Sequence, residues 1–269
     1  MISRNHSVAR RLRALRVEPA LRAAEGVLVA EGIHLAQEAL ASKASIELGV
    51  VSPRLRQTAE GTALAARLRE AGVELHEAGE ATLDALQDAR SPQPIVLVVR
   101  RASWSVDGVI VGRGGLPMVV VACGVQDPGN LGALMRTAEA AGATGFLATS
   151  GSADLAHPRA VRATMGAIFR LPAADGEIEA ILDRALAAGL RLVGAEARGA
   201  TAYDACDWTG RLALLLGGEG AGLPDAAKRR LAARVTIPMA PGVESLSVGA
   251  AAAVLLFEAA RARRLSRVG

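Results

Sequence analysis

A side-chain amide, Asn130, and a guanidinium, Arg136, follow an apolar stretch that predicts a strand over Met118 to Val125. The intervening Asp-Pro-Gly turn is expected to open a helix, which Asn130 is placed to cap through its side-chain oxygen. Arg136 falls two turns later among small residues that leave it uncovered. A strand that runs into a turn and a helix delivers polar groups to the carboxyl edge of a sheet, the usual ligand crevice of open α/β folds.

Two further segments combine a strand with a loop. In the first, an apolar strand ends in the glycine loop GGEG at residues 217–220. In the second, a strand ends at Ile237, and the sequence SLSV at residues 245–248 begins a helix. Glycines allow a backbone to approach a ligand closely, and a helix start offers free N–H groups. Each of these segments alone is weak evidence for a function.

In this order and spacing, the three segments resemble the three motifs of the SpoU/TrmH family of RNA ribose 2′-O-methyltransferases, part of the SPOUT superfamily. The resemblance covers essentially the whole chain, since residues 1 to about 105 resemble the N-terminal substrate-binding domain of that family. It implies that S-adenosylmethionine is used to methylate a ribose in structured RNA, for which we favour 23S ribosomal RNA. It also implies a trefoil-knotted C-terminal methyltransferase domain that forms homodimers.

The resemblance assigns roles to individual side chains. Arg136 aligns with the catalytic base proposed for the family, but a guanidinium stays protonated and is better suited to gripping phosphate. We therefore expect Arg136 to bind and polarise the phosphate–ribose unit. Asn130 would shape its loop and hold substrate, Glu219 would orient the loops by accepting backbone N–H bonds, and Ser245 would contact cofactor or ribose. Backbone groups at four positions would hold the adenosyl group: Gly217, Gly218, Ile237 and Leu246.

Two positions depart from the family pattern. Ser247 stands where the third motif usually has Asn, which shortens the polar reach and replaces a two-donor amide by one hydroxyl. Thr164 stands where Ser is commoner. We expect Ser247 to brace its loop less tightly than Asn would, without removing the implied ligand groups.

The glycine loop has competing interpretations. A dinucleotide-binding unit would need a true helix after the loop and an acidic residue at the tip of the next strand. Here the helix after Pro224 is a turn or two long, and the next strand ends at Pro238 with no carboxylate. A classical open-sheet methyltransferase would carry its glycine loop near the start of the domain. The glycines could also serve only as tight turns. Two alternative functions stay open: a catalytically silent RNA-binding or ribosome-assembly factor, and a transfer RNA ribose methyltransferase.

Composition narrows the function classes. The chain of 269 residues suits one large or two modest domains, and no apolar run is long enough to span a bilayer. The N-terminus has no secretory signal pattern. Two distant cysteines and four histidines disfavour a metal site or a disulfide framework. We therefore expect a cytoplasmic protein without metal or membrane association.

The net charge of +4 is concentrated at the N-terminus, where residues 1–22 carry six arginines against one glutamate. Such a patch is the electrostatic footprint of a nucleic-acid binder, although a solvated helix face in an Arg-rich chain is the plainer interpretation. With only six aromatic residues, recognition of folded RNA by shape and backbone is favoured over base stacking. The expected RNA contacts on this predicted helix are Arg4, Arg10, Arg11 and Arg13.

Strand and helix patterns alternate along the chain, which predicts an α/β architecture. Residues 1–105 are expected to form a small three-layer α/β RNA-binding domain, residues 106–116 a glycine-rich linker, and residues 117–269 the methyltransferase domain. The predicted strands are Val27–Ala30, Ile46–Val51, Val73–His76, Ile95–Val99, Met118–Val125, Gly145–Ala148, Arg191–Ala195, Leu212–Leu216 and Val235–Ile237.

Overall fold

The computed structural model describes residues 1–88, 91–112, 114–198 and 200–266. They form two compact units, of which the first comprises Met1–Ala102 together with Asp154–Arg170 and the second comprises Ser103–Ala153 together with the chain from Leu171 onward. This division differs from the predicted one, because residues 154–170 fold with the first unit and residues 106–111 of the predicted linker form a helix of the second. Residue 113 of that linker and the last three residues of the predicted methyltransferase domain lie outside the described residues.

The helices are α1 Ser7–Val17, α2 Pro19–Glu25, α3 Ile33–Ala41, α4 Ala59–Glu70, α5 Glu80–Asp84, α6 Val106–Val111, α7 Pro128–Ala140, α8 Pro158–Ala163, α9 Ile178–Ala187, α10 Asp225–Lys228 and α11 Val248–Leu265. The strands are β1 Val27–Glu31, β2 Ile46–Val51, β3 Glu74–Glu77, β4 Ile95–Arg100, β5 Met118–Cys123, β6 Gly145–Thr149, β7 Ala173–Gly176, β8 Arg191–Ala195, β9 Thr201–Ala202, β10 Leu212–Gly217 and β11 Ala233–Thr236. Short 3₁₀ helices lie at Pro53–Gln57, Ala167–Phe169 and Tyr203–Ala205.

The first unit is built on a four-stranded sheet in the order β1-β4-β2-β3, with β4 antiparallel to both of its neighbours. Helix α1 buries Leu12 and Leu15 against one face, in a cluster with Val29. Because side chains alternate along a strand, Leu28 points to the other face, and α3 packs on β1 and β4. The predicted N-terminal helix is two helices, because Pro19 begins a new one after the extended residue Glu18.

Residues 154–170, called here the 154–170 segment, belong to the first unit although they follow β6 in the chain. Its helix α8 packs on β1. Arginine–carboxylate pairs tie the segment down at its start, its middle and its end. These pairs are Arg22 with Asp154, Arg162 with Glu31, and Arg170 with Glu38.

The second unit contains a wholly parallel seven-stranded sheet in the order β7-β6-β5-β10-β8-β11-β9. Strand β5 is buried along its whole length, as expected for a strand covered on both faces. Helices α6, α9 and α10 share one core with the sheet, while α7 packs on α11. The chain passes from β5 outward to β6 and β7, and β10 later inserts between β5 and β8, so the direction of winding changes there.

The predicted α/β fold is confirmed, whereas the trefoil knot stays a prediction. Every predicted strand overlaps an observed one, and the short strands β7 and β9 were not predicted. No helix within the described part of the chain is long and apolar enough to cross a membrane.

Candidate functional site

A cavity of about 620 Å³ lies in the second unit, at the carboxyl edge of the parallel sheet. Its walls come from the ends of β8, β10 and β11, from the loops that follow them, and from the first turns of α11. This volume lies within the usual range of small-molecule sites, roughly 300–1,000 Å³. Six residues predicted from separate sequence segments line it: Gly217, Gly218, Glu219, Ile237, Ser245 and Leu246.

The glycine loop folds back on itself beside this cavity. A Cβ on Gly217 would lie 2.3 Å from the carbonyl carbon of Gly222, and a Cβ on Gly218 would lie 2.3 Å from the carbonyl oxygen of Gly124. The Gly218 N–H donates to the carbonyl of Cys123 at 2.9 Å, which fixes the loop against β5. The structural interpretation of these glycines therefore holds in part: Gly217 and Gly218 are required by adjacent backbone, and they also line the cavity.

The third segment forms the opposite wall. Ser247 caps α11, and its Oγ accepts the N–H of Ala250 at 3.3 Å. Ser245 and Leu246 are exposed on the loop just before this cap and line the cavity. Because Ser247 acts as a helix cap, the position suits Asn as well as Ser.

Asn130 has a different role from the predicted helix cap. The cap of α7 is Asp127, whose carboxylate accepts the Asn130 N–H at 2.9 Å. Pro128 then occupies the first helical position, where proline is favoured, so the helix begins earlier than the prediction assumed. The Asn130 amide donates instead to Glu219 Oε1 at 3.1 Å, which joins the first and second segments. Glu219 thus accepts a side-chain amide, where backbone N–H donors were expected.

Arg136 is exposed on α7, as its small neighbours predicted. It does not line the cavity. Within the described ranges of the chain, no residue forms a hydrogen bond or ion pair with it. A guanidinium in this state keeps all five N–H donors for an anionic ligand.

The four arginines predicted to contact RNA differ in how many of their N–H donors are free to bind phosphate. Arg10 is exposed and has no hydrogen-bond or ion-pair partner among the described residues. Arg4 and Arg13 each donate one N–H to a backbone carbonyl, at 3.0 and 2.7 Å. Arg11 Nη2 lies 2.6 Å from carboxylate oxygens of both Glu25 and Glu47. These carboxylates, distant in sequence, make Arg11 a structural residue of the first unit and leave a smaller patch than the sequence predicted.

Two ionisable residues of the cavity were not predicted, Glu196 and Glu244. Glu196 follows β8 directly, so its position at the carboxyl end of a strand was the available signal. Of the described residues that line the cavity, three are glutamates and none is Arg, Lys or His. Burial raises the pKa of the Cys123 thiol to about 12, so this residue is an inert part of the core. Over the described ranges, no group of three or more His, Cys, Asp or Glu side chains is arranged to hold a metal ion.

Comparisons with known proteins agree with this geometry. Residues 117–257 match the SpoU rRNA Methylase family, and residues 6–97 match an MRM3-like substrate binding domain. The chain is 28% identical to the 23S rRNA (guanosine(2553)-2′-O)-methyltransferase RlmP of Bacillus subtilis, over 84% of this chain and 86% of that protein. It is 30% identical to the 23S rRNA (guanosine-2′-O-)-methyltransferase RlmB of Xanthomonas campestris, over 81% and 87%.

Solved structures give the same result. The AdoMet-bound rRNA methyltransferase from Sinorhizobium meliloti superposes with a TM-score of 0.84 and 30% identity, over 97% of both chains. The SpoU methyltransferase AviRb from Streptomyces viridochromogenes, in complex with AdoMet, superposes with a TM-score of 0.85 and 26% identity, over 97% of this chain and all of that one. The chain belongs to the SpoU rRNA methylase family.

Proposed function

We propose that the protein transfers the methyl group of S-adenosylmethionine to a ribose 2′-hydroxyl of 23S ribosomal RNA. The observation that carries this proposal is the convergence of two sequence segments, the glycine loop and the start of α11, on one cavity. The segment that contains Asn130 is tied to it through the Asn130–Glu219 hydrogen bond. The named relatives that act on 23S rRNA and the AdoMet complexes of two similar structures support the substrate and the cofactor.

The charge of the cavity fits this cofactor. S-adenosylmethionine carries a sulfonium and an ammonium against one carboxylate, so its net charge is positive. The three glutamates of the lining, with no cationic side chain among the described lining residues, favour such a ligand and disfavour an anionic dinucleotide. A dinucleotide enzyme is therefore not supported.

Each residue has a definite task in this reaction. When bound, the cofactor supplies a methyl group already activated by its sulfonium. The backbone at Gly217, Gly218, Ile237 and Leu246 holds the adenosyl group in the cavity. Ser245 contacts cofactor or ribose. Arg136 grips the RNA phosphate and polarises the adjoining ribose, because a free, exposed guanidinium binds phosphate through two parallel hydrogen bonds.

Glu219 and Asn130 act together in the same scheme. Their hydrogen bond fixes the glycine loop relative to the start of α7, the helix that carries Arg136. Holding the two reactants in line is the larger part of the catalytic task, since the methyl group needs no further activation. The pair thus positions the cofactor loop against the element that grips RNA.

The first unit would bind the RNA, with Arg4, Arg10 and Arg13 as contacts. The second unit would form the homodimer through α11, where Phe257 is 49% exposed and lies one helical turn after the partly exposed Ala253 and Val254. An apolar stripe of this kind favours a protein partner over solvent. An enzyme of ribosomal RNA works where ribosomes are assembled, so we also propose a cytoplasmic location.

The test is Arg136→Ala, with Arg229→Ala as the matched control at another exposed arginine of the second unit. We expect Arg136→Ala to abolish methyl transfer and to leave the affinity for S-adenosylmethionine within a few-fold, whereas Arg229→Ala should keep both. A large loss of cofactor affinity in a folded Arg136→Ala protein would contradict the assigned role.

Two further measurements test the function as a whole. Calorimetry of the wild type with S-adenosylmethionine should give a heat of binding, and its absence would identify a silent RNA-binding factor. Mapping of ribose methylation in total RNA, with and without the gene, should reveal one missing 2′-O-methyl group in 23S rRNA. A missing group in transfer RNA would favour the alternative substrate.

A further inference from the structure

Glu196 is less exposed to solvent than the other two glutamates of the cavity wall. Its side chain is only 18% exposed, whereas Glu219 and Glu244 lie on exposed loops. The Glu196 N–H donates to the carbonyl of Val235 at 2.9 Å, so the backbone that carries the carboxylate is fixed to β11. Glu196 therefore holds a negative charge at a defined place in the wall, poorly screened by water.

The counter-ion of Glu196 neutralises it only weakly. Arg234 Nη1 lies 3.8 Å from Glu196 Oε1, beyond hydrogen-bond distance, and the Arg234 side chain is 48% exposed. Arg234 also donates to the carbonyl of Lys228 at 3.1 Å. Because this guanidinium is half-exposed and makes no hydrogen bond to Glu196, it neutralises the carboxylate only in part, and the Glu196 carboxylate stays available to a ligand.

In the proposed reaction, the cofactor before methyl transfer and its product after transfer differ in charge at the sulfur atom. As the methyl group passes from sulfur to the ribose oxygen, the S–CH₃ bond breaks and the O–CH₃ bond forms. The bonding pair stays on sulfur, which becomes a neutral thioether, and the hydroxyl proton leaves to solvent. The adenosyl and amino-acid parts of the two molecules are identical, so they differ only by the transferred methyl group and by the positive charge on sulfur. A negative group in the wall favours the charged molecule.

We propose that Glu196 is a specificity-determining residue that makes this cavity prefer the sulfonium cofactor over its thioether product. The proposal rests on the function given above. Glu196 lines the cavity, so its carboxylate attracts a positive charge held there. The preference would favour release of the product after each methyl transfer.

The experiment compares Glu196→Gln with the wild type by calorimetry, using three probes: S-adenosylmethionine, S-adenosylhomocysteine and sinefungin, in which a protonated amine replaces the sulfonium. Glutamine keeps the shape of the side chain and removes its charge. We expect the two cationic probes to bind about fivefold or more weakly and the thioether to change by less than about twofold. Glu179→Gln, at an exposed site on α9 away from the cavity, should leave all three affinities unchanged.

An equal loss for all three probes would place the carboxylate against a group that they share and would overturn the proposal, as would unchanged affinities. Arg234→Ala provides a second variant that does not disturb the interior. Because this counter-ion neutralises Glu196 only weakly, its removal should keep or slightly raise the preference for S-adenosylmethionine over S-adenosylhomocysteine, and a lower preference would also overturn the proposal. A wild-type protein that binds neither molecule would instead refute the proposed function.

Discussion

Replacement of Arg162 and replacement of Glu31 should have very different effects on the stability of the first unit. The Glu31 side chain is 1% exposed and accepts hydrogen bonds from Arg162 Nη1 and from the Asp88 N–H, both at 2.8 Å. Arg162 is 35% exposed and can reach water. Arg162→Ala therefore leaves a buried carboxylate without its counter-ion, whereas Glu31→Gln leaves a guanidinium that solvent can hydrate.

The expected magnitudes follow from this burial. Breaking a buried ion pair so that one charge stays buried costs about 3–5 kcal/mol, and we expect Arg162→Ala to lie near the lower end because Glu31 keeps its bond to Asp88. Glu31→Gln retains an acceptor for the same N–H and should cost about 1 kcal/mol. The double variant has no unpaired buried charge, so its unfolding free energy should exceed that of Arg162→Ala alone.

The pH dependence gives an independent check. Burial raises the pKa of Glu31 and outweighs the lowering by the Asp88 N–H and by Arg162. A carboxyl group with a raised pKa in the folded state stabilises that state when protonated. This stabilisation is complete below the ordinary value of 4.5 and is lost as the pH rises through the folded pKa. Arg162→Ala removes a group that lowers the pKa of Glu31. The destabilisation by Arg162→Ala should therefore be smaller at about pH 5, where more of Glu31 is protonated, than at about pH 7.5.

The assay can separate the two units. Trp104, Trp208 and Tyr203 are the only Trp and Tyr residues of the sequence and all lie in the second unit, so fluorescence in urea follows that unit and serves as an internal control. Hydrogen exchange of the β1 and β4 amides reports on the first unit. Three results would contradict these roles of Arg162 and Glu31: equal destabilisation by the two single variants, a destabilisation by Arg162→Ala that does not depend on pH, or a double variant no more stable than Arg162→Ala.

Three further outcomes are expected. Ser247→Asn should be tolerated, with single-turnover methylation equal or higher, whereas Ser247→Ala loses the α11 cap at a cost of about 1 kcal/mol in urea unfolding. Gly218→Ala should abolish cofactor binding in calorimetry because its methyl group meets a backbone carbonyl at 2.3 Å, while Gly249→Ala, with open space around it, should be neutral or stabilising. Arg10→Glu should weaken RNA binding and flatten its salt dependence by about one counterion. Arg11→Glu should instead destabilise the first unit, and equal salt slopes for both variants would contradict this distinction.

The sequence predicted the strands that are buried on both faces. β5 and β10 are apolar along almost their whole length, since helices cover both sides of the sheet. β7 and β9 escaped prediction because they are short, lie at the two edges of the sheet, and include exposed positions such as Asp175 and Thr201.

The sequence predicted those parts of the candidate site that lie within short, contiguous motifs. The glycine loop and the start of α11 line one cavity as the motifs implied. Asn130, Arg11 and Glu196 instead pair with residues that are far away in the chain. Asn130 meets a glutamate 89 residues later, and Arg11 meets one 36 residues later. A local pattern contains no information on such pairs.

The 154–170 segment has a consequence for how this protein can be divided. It lies inside the stretch that matches the methylase family, yet it folds with the first unit, so the chain passes between the two units three times. The methylase region expressed by itself would present Arg162 and Arg170 without Glu31 and Glu38. The first unit thus cannot be removed intact by cutting the chain at one point. Replacing the first unit by another domain would therefore also require changes in the 154–170 segment, which lies within the methylase match.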